Sequence, residues 1–278
     1  MRLLTSVLHR LLYGHFWIAA CALAMYWQSR LLFGADIGLN ATSVFLFSGT
    51  LALYGLHRLI GLNFVTGSEV TSRFDIIAAI RSETLIYALL GSLGAGISFF
   101  SLPRQLQLAV PLPALLSLAY ALPVFRKKRL RDFPYIKIFL IALVWTWLTA
   151  SLPALELGLF NTPAAWWMMA ERSLFIFGIT LPFDLRDRET DTAAGISTLP
   201  SIMDVRPLGL LVLLAAIACA WANLQGGLYT RGDWTAISIT CLLAMIFLWL
   251  SPNVKHDYFF SGLIDGLMLL QFLGVWFL

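Results

Sequence analysis

The chain has 278 residues, of which 59% are hydrophobic and only 12% are charged. A soluble domain of this size carries about a quarter charged residues, so the composition excludes an ordinary soluble globular protein. The formal net charge of +4 does not indicate nucleic-acid binding, because the placement of charge matters more than its sum in a membrane protein.

The apolar residues come in blocks of about 17–23 residues, the length that a helix needs to cross the hydrocarbon core of a bilayer. Strand-like alternation is weak, which argues against an outer-membrane barrel. In chain order we predict transmembrane helices over residues 11–33, 40–60, 84–101, 106–125, 135–154, 164–183, 206–223, 234–251 and 257–277. The predicted fold class is therefore all-α, a polytopic bundle of about nine transmembrane helices, with residues 1–278 forming a single integral membrane domain.

The lysines and arginines divide unevenly between the two sides that nine spans define. Of the 19, 15 lie on the side of the N-terminus. The other four are Arg30, Arg104, Arg172 and Arg231. Because cytoplasmic loops carry an excess of lysine and arginine, we expect an inner (cytoplasmic) membrane protein with its N-terminus in the cytoplasm and its C-terminus outside. The first block is interpreted as a span and not as a removed signal peptide, since no small-residue cleavage site follows it.

The segment after the sixth predicted span is the most informative for chemistry. If the helix continues past Pro182, then Asp184, Asp187 and Asp191 follow i, i+3, i+7 spacing and share one face. Three carboxylates so close repel one another unless cations lie among them. Oxygen ligands at a membrane-facing opening suit Mg²⁺, which is commonly shared with substrate phosphates.

A simpler interpretation of the same segment is a solvated, charged loop. In that alternative Arg188 neutralises Asp184 at i+4, and Arg186 faces the lipid headgroups. The spacing of the acids does not decide between a magnesium–diphosphate site and this loop.

The same segment closely resembles the second aspartate-rich motif of the UbiA superfamily of intramembrane prenyltransferases, which reads Asp-x-x-Asp-x-x-x-Asp, then a Gly and a Thr-Leu-Pro. The position of the motif between spans six and seven also fits that family. Tyr120 and the basic run from Arg126 to Arg131 resemble, more loosely, the family's Tyr-to-Lys-Arg segment. The matching residues of the motif are Asp184, Asp187, Asp191, Gly195, Thr198, Leu199 and Pro200.

The resemblance implies a helical bundle around a cavity that opens to lipid, and a Mg²⁺-dependent prenyltransferase. A prenyl diphosphate would lie in the apolar part, with its diphosphate held by Mg²⁺ at the cytoplasmic end. Departure of diphosphate would leave an allylic cation, which a small, aromatic acceptor would attack. By the resemblance Asp184, Asp187 and Asp191 hold the metal, with Asp187 and Asp191 counted as catalytic.

The family's first motif, Asn-Asp-x-x-Asp-x-x-x-Asp, is missing from its expected place at the end of the second span. His57 and Arg58 stand there, and no acidic residue occurs between Asp36 and Glu69. In one account His57 and Arg58 contact the diphosphate oxygens directly, since arginine binds phosphate well. In the other they are interfacial residues, with Arg58 extending toward the headgroups.

Two further residues are candidates for substrate binding. Asp265 lies inside the last predicted span, where burial of a carboxylate is costly and indicates a function or a basic partner. Lys137, at the start of the fifth span, is placed to hold phosphate, although the excess of cytoplasmic cations also accounts for it.

Two competing functions remain at the level of sequence. The first is a catalytically degenerate relative that binds a lipid or a membrane partner, which the missing first motif favours. The second is a small-molecule transporter, against which the lack of an internal repeat argues.

Overall fold

The computed structural model describes residues 2–61, 78–124 and 128–278, with side chains from residue 6 onward. The regular elements in these ranges are helices. Among the cations counted above, Arg73, Arg126 and Lys127 lie outside the described residues. The helices are α1 (Arg2–Tyr13), α2 (Phe16–Leu32), α3 (Ala41–Gly61), α4 (Arg81–Phe100), α5 (Arg104–Ala109), α6 (Pro111–Ala121), α7 (Ile136–Glu156), α8 (Pro163–Arg186), α9 (Arg188–Ala193), α10 (Leu199–Ile202), α11 (Val205–Gln225), α12 (Arg231–Leu250) and α13 (Phe259–Phe277).

Six helices within the described ranges are long and apolar enough to cross a membrane, which makes this a multi-pass membrane protein. They are α3, α4, α7, α11, α12 and α13. The last two turns of α1 and the whole of α2 form a pair bent by 55°, which adds a seventh span if the pair crosses as one. The predicted count of nine transmembrane helices is therefore not confirmed.

Two of the predicted spans fall short for different reasons. The span predicted over 106–125 is divided at Val110 into α5, with six residues, and α6, with 11 residues. Pro111 follows this break, and proline has no N–H with which to continue the hydrogen bonds of the preceding helix. The span predicted over 164–183 coincides with α8, but Glu171 and Arg172 lie in the middle of that helix and lower its hydropathy.

Arg172 lies inside the bundle, although the orientation argument counted it on the outer side. Its side chain is fully buried, and its Nη1 donates to the carbonyl of Met25 at 3.0 Å and to Oγ1 of Thr149 at 3.1 Å. Thr149 belongs to a π-turn (Trp147–Ser151) inside α7, a local widening that often marks a functional or strained position. The group of cations assigned to the outer side therefore loses one of its four members.

The helices form a ring in which α2 packs on α13, α13 on α12, α12 on α11, α11 on α8, and α8 on α7. The π-turn of α7 contacts α2 and closes the ring. Outside it, α3 packs on α2 and α4 packs tightly on α3. Gly91 of α4 makes this approach possible, since a Cβ there would lie 2.7 Å from the carbonyl oxygen of Ser48. Small residues serve the same purpose in membrane helix pairs generally.

We expect Gly91→Ala to destabilise the α3–α4 pair, because the added methyl group overlaps backbone atoms that cannot move away. Overpacking of this kind costs about 1–3 kcal/mol. Gly96→Ala is the matched control on the same helix, since no atom lies within 4 Å of a Cβ at that position. The thermal midpoint of the purified protein in detergent should fall for Gly91→Ala only. Equal midpoints for the two variants would contradict the packing argument.

Candidate functional site

A buried ion-pair cluster joins the start of α7 to the end of α8. Nζ of Lys137 lies 2.8 Å from Oδ1 of Asp184 and 3.1 Å from Oδ2 of Asp191, with hydrogen-bond geometry only to Asp191. All three side chains are at least nine-tenths buried. Asp184 is thus neutralised by Lys137 and not by Arg188, whose side chain is exposed.

The acids come together because the helical path continues almost unbroken through the motif. The condition set for this spacing is met, because α8 runs past Pro182 and ends at Arg186. The helix is interrupted at Asp187, yet the N–H of Asp187 still donates to the carbonyl of Phe183 and the N–H of Asp191 to that of Asp187. The i, i+3, i+7 spacing therefore keeps the three carboxylates near one another.

The residues that follow the motif acids position Lys137. Gly195 adopts the left-handed conformation (φ +72°), which favours glycine, and turns the chain back after α9. The N–H of Tyr135 then donates to the carbonyl of Ser197 at 3.0 Å. This bond fixes the start of α7 against the motif, and Lys137 lies in the first turn of that helix.

A second cation, Arg186, pairs with Asp187, the remaining acid of the motif. Its Nε lies 2.8 Å from Oδ1 of Asp187, and its Nη1 lies 2.8 Å from Oδ1 of Asp257 in the segment before α13. The guanidinium also lies over the rings of Phe183 and Phe260, 5.2 and 4.9 Å from their centroids. Arg186 is therefore held inside the protein and does not face the lipid headgroups.

A basic and aromatic group occupies the place of the missing first motif. Nη1 of Arg131 lies 3.0 Å from Nε2 of His57, and its guanidinium lies 5.3 Å from the ring centroid of Tyr120. Because a guanidinium only donates, Nε2 of His57 is assigned as the acceptor. Arg58 lies close enough to His57 and His15 for the charges to interact. The structure thus adds an inward-facing arginine to the two residues predicted here.

A short turn holds Arg131 in this position. The 3₁₀ turn Leu130–Asp132 is closed by Arg129, whose Nη2 lies 2.9 Å from Oδ1 of Asp132 and whose N–H donates to Oδ2. Burial would raise the pKa of Asp132, but these bonds from Arg129 lower it below its ordinary value. Burial acts to lower the pKa of Arg131, yet the nearby Tyr120 and motif carboxylates raise it, so Arg131 stays charged.

Asp265 interacts electrostatically with Arg186 and with Tyr54, a residue that lines a cavity. It stands directly after the π-turn Phe259–Ile264 of α13 and is partly accessible. The cavity has a volume of about 300 Å³ and is formed by α2, α3, α4, α6 and α7. The cavity lining is mainly apolar and includes Phe45, Leu53, Trp145 and Leu148. The polar group therefore adjoins an apolar chamber.

The described arrangement does not fit the expected Mg²⁺ site. Among the described residues no group of three His, Cys, Asp or Glu side chains is arranged to hold a metal ion. Lys137 already contacts two of the three carboxylates, and Arg186 contacts the third. Arg131 lies near enough to interact with Asp187 and Asp191 as well.

All the predicted site residues thus lie at one end of the bundle, but the sequence analysis did not assign a role to several of their partners. Arg131 appeared only as one of a basic run, and Arg186 only in the alternative in which it faces the lipid headgroups. Tyr54 was not singled out, although it lies one helical turn before His57. An arginine adjacent to a motif acid was the one signal that pointed to Arg186.

Comparison with solved structures identifies the architecture. A UbiA homologue from Aeropyrum pernix K1 in its apo form superposes with a TM-score of 0.67 at 16% identity, covering 92% of this chain and 96% of the other. The fold is the same. This chain has the UbiA fold. A digeranylgeranylglyceryl phosphate synthase also shares it, with a TM-score of 0.58 at 14% identity over 99% of this chain and 98% of that one.

A third structure with the UbiA fold carries ligands. It is a homologue from Archaeoglobus fulgidus bound to GPP and Mg²⁺, with a TM-score of 0.57 at 11% identity, covering 96% of this chain and 98% of the other. No protein-family model and no curated protein matches the sequence. The UbiA fold predicted from the aspartate motif is therefore confirmed by structure, at identities that show the fold alone.

We expect Lys137→Met to destabilise the protein, because it leaves two buried carboxylates without their cation. Removing one member of a buried ion pair costs about 3–5 kcal/mol. Adding Asp191→Asn in the same chain should recover part of the loss, since one fewer charge is then unpaired. Thermal midpoints in detergent give the comparison.

Lys255→Met is the control for the loss of a lysine, because Lys255 is exposed in the segment before α13. It should leave the midpoint unchanged. A midpoint for the double variant below that of Lys137→Met would show that Lys137 does not neutralise Asp191.

Proposed function

We propose that this protein is a membrane enzyme of the prenyltransferase type, which transfers a prenyl group from a prenyl diphosphate to a small, aromatic acceptor. One observation carries the proposal: a basic and aromatic group at one end of the bundle adjoins an apolar cavity, because Tyr54 lines the cavity and interacts electrostatically with Tyr120, over which the guanidinium of Arg131 lies. A prenyl diphosphate has the same division into an anionic head and an apolar chain.

The cationic group suits a diphosphate. Arg58, Arg131 and Lys137 are the cations, and arginine presents a planar fork of donors that matches phosphate oxygens. Nε of Arg131 is buried without a hydrogen-bond partner, so a donor remains for an anion. At the edge of a bilayer these charges act in a low dielectric, which strengthens their attraction for a diphosphate.

The cavity suits the prenyl chain and the allylic cation formed from it. Cleavage of the bond between the prenyl C1 and the diphosphate oxygen leaves the electron pair on diphosphate and an allylic cation in the cavity. The aromatic rings of Phe45, Tyr54 and Trp145 line that cavity and would shield the cation from water. The acceptor then supplies the electron pair of the new bond and loses a proton, for which Asp265 is the nearby carboxylate.

The expected metal is the part of this proposal that the geometry supports least. Mg²⁺ is present in the Archaeoglobus fulgidus structure bound to GPP. Here its expected ligands Asp184, Asp187 and Asp191 are engaged by Lys137 and Arg186. We therefore assign stabilisation of the leaving diphosphate to the protein's own cations.

The site is proposed to face the cytoplasm. All its residues belong to the end of the bundle at which 15 of the 19 lysines and arginines were counted, and burial of Arg172 in α8 removes one cation from the opposite group. The excess of cations on the cytoplasmic side gives the orientation. The lipid bilayer is then both the surroundings of the protein and the source of its apolar substrate.

A second candidate function is a non-catalytic protein that binds a lipid diphosphate. The observation that favours it is the same engagement of all three motif acids by basic side chains. The two candidates predict the same binding and differ in turnover. Release of diphosphate in the presence of a panel of phenolic acceptors separates them, and loss of that release in Asp187→Ala would tie it to the motif.

We expect Arg58→Gln and Arg131→Gln each to weaken binding of a non-hydrolysable geranyl thiodiphosphate by roughly ten- to a hundredfold. The reason is that hydrogen bonds to charged groups contribute about 1.5–3 kcal/mol each. Calorimetry on the full chain in detergent measures the affinity. Geranyl alcohol, which lacks the diphosphate, should bind all variants alike.

Arg104→Gln is the matched control for this series. Arg104 is exposed at the start of α5, near Gln107, and belongs to the opposite group of cations. It should bind the analogue as the wild type does. An equal loss in all three variants would indicate a general effect of positive charge and would remove Arg58 and Arg131 from the site.

We also expect Ala95→Phe to reduce the affinity for geranyl thiodiphosphate more than for the shorter dimethylallyl analogue. Ala95 lines the cavity, and a phenyl ring there would occupy space proposed for the distal part of the chain. Gly96→Phe adds the same ring to the next residue of α4, where the surroundings are open. If both substitutions change the two affinities equally, the prenyl chain does not occupy this cavity.

A further inference from the structure

The ammonium group of Lys137 stands where a cation between two motif acids would stand. It lies 2.8 Å from Asp184 and 3.1 Å from Asp191, and the exposed fractions of the three side chains are 7%, 2% and 8% in that order. Lysine usually remains at the surface, so its burial here requires these partners.

The backbone holds Lys137 in this place. The bond from Tyr135 to Ser197 ties the first turn of α7 to the segment that follows the motif. Tyr135 itself takes a left-handed conformation (φ 62°), which non-glycine residues seldom adopt and which the surrounding contacts must stabilise. The contact between Lys137 and the acids is thus built into the fold and does not depend on a flexible side chain at the surface.

The negative charge of the three motif carboxylates is already balanced without a metal ion. Three cations, Lys137, Arg131 and Arg186, interact with the three carboxylates of the motif. A divalent cation placed between Asp184 and Asp191 would have to displace the ammonium group. It would then leave Lys137 buried beside a metal of the same sign, which is a costly arrangement.

We propose that Lys137 is a built-in counter-cation that replaces a divalent metal ion between Asp184 and Asp191. The motif then binds no divalent cation by itself. The consequence for ligand binding rests on the proposed function: a prenyl diphosphate binds without Mg²⁺. Arg58 and the unpaired Nε–H of Arg131 then supply the contacts to the diphosphate oxygens.

The first test measures Mn²⁺ alone, as a spectroscopic substitute for Mg²⁺, with the full chain in nanodiscs. Protein-bound Mn²⁺ loses the sharp signal of the free ion in electron paramagnetic resonance. We expect no saturable binding to the wild type and one ion per chain in Lys137→Met. The gain should be about a hundredfold or more, the scale for removing a like charge about 4 Å away.

Two controls make the gain specific. Lys255→Met, which removes an exposed lysine, should bind no more Mn²⁺ than the wild type. Lys137→Met combined with Asp191→Asn should lose the acquired ion. Mn²⁺ should also raise the thermal midpoint of Lys137→Met and leave that of the wild type unchanged.

Either of two results would overturn the proposal. One is a saturable Mn²⁺ ion bound to the wild type without any diphosphate, a measurement that needs no variant to fold. The other is a folded Lys137→Met chain that acquires no ion.

The second test measures binding of geranyl thiodiphosphate to the wild type in EDTA and in Mg²⁺. We expect affinities that agree within about tenfold. A much tighter complex in Mg²⁺ would overturn metal-free binding. No binding in either condition would refute the proposed function, while the Mn²⁺ result would still decide whether Lys137 replaces the metal.

Discussion

Buried carboxylates at the edge of a membrane must be neutralised, and in this protein Lys137 meets that requirement for two of them. Asp184 and Asp191 belong to α8 and α9, whereas Lys137 begins α7, so the ion pairs connect segments about 50 residues apart. In a low-dielectric setting an uncompensated charge is far more costly than in water. Because the ion pairs avoid this cost, they fix the position of α7 relative to the motif, and the geometry of the site depends on that contact.

The same constraint explains two of the buried arginines. Arg186 is held between Asp187 and Asp257 and stacks on two phenylalanine rings. Arg172, in the middle of α8, uses the carbonyl of Met25 and the hydroxyl of Thr149 in the π-turn of α7. Both arginines are therefore paired with acceptors from a neighbouring segment, so these contacts help to fix the positions of the helices.

The sequence predicted what depends on local spacing and left open what depends on contacts between distant segments. The i, i+3, i+7 pattern placed the three acids together because a helix converts spacing into direction. The pairing of Lys137 with those acids was not predicted, because it depends on how α7 packs against α8. Hydropathy located helices over the predicted spans, but within the described residues only six or seven of them are long and apolar enough to count as spans. It did not reveal the break at Val110 or the burial of Arg172.

Basic side chains accompany both parts of the aspartate-rich pattern, the absent first motif and the retained second one. Where the first motif would supply carboxylates for a metal, this chain has His57, Arg58 and the inward-facing Arg131. Where the second motif retains its carboxylates, Lys137 provides the cation between them. Without Lys137, the carboxylates of the second motif would lie buried with no cation between them. If fixed side-chain charges replace metal ions, as we propose, the absence of the first motif is consistent with a retained diphosphate site and not only with a lost one.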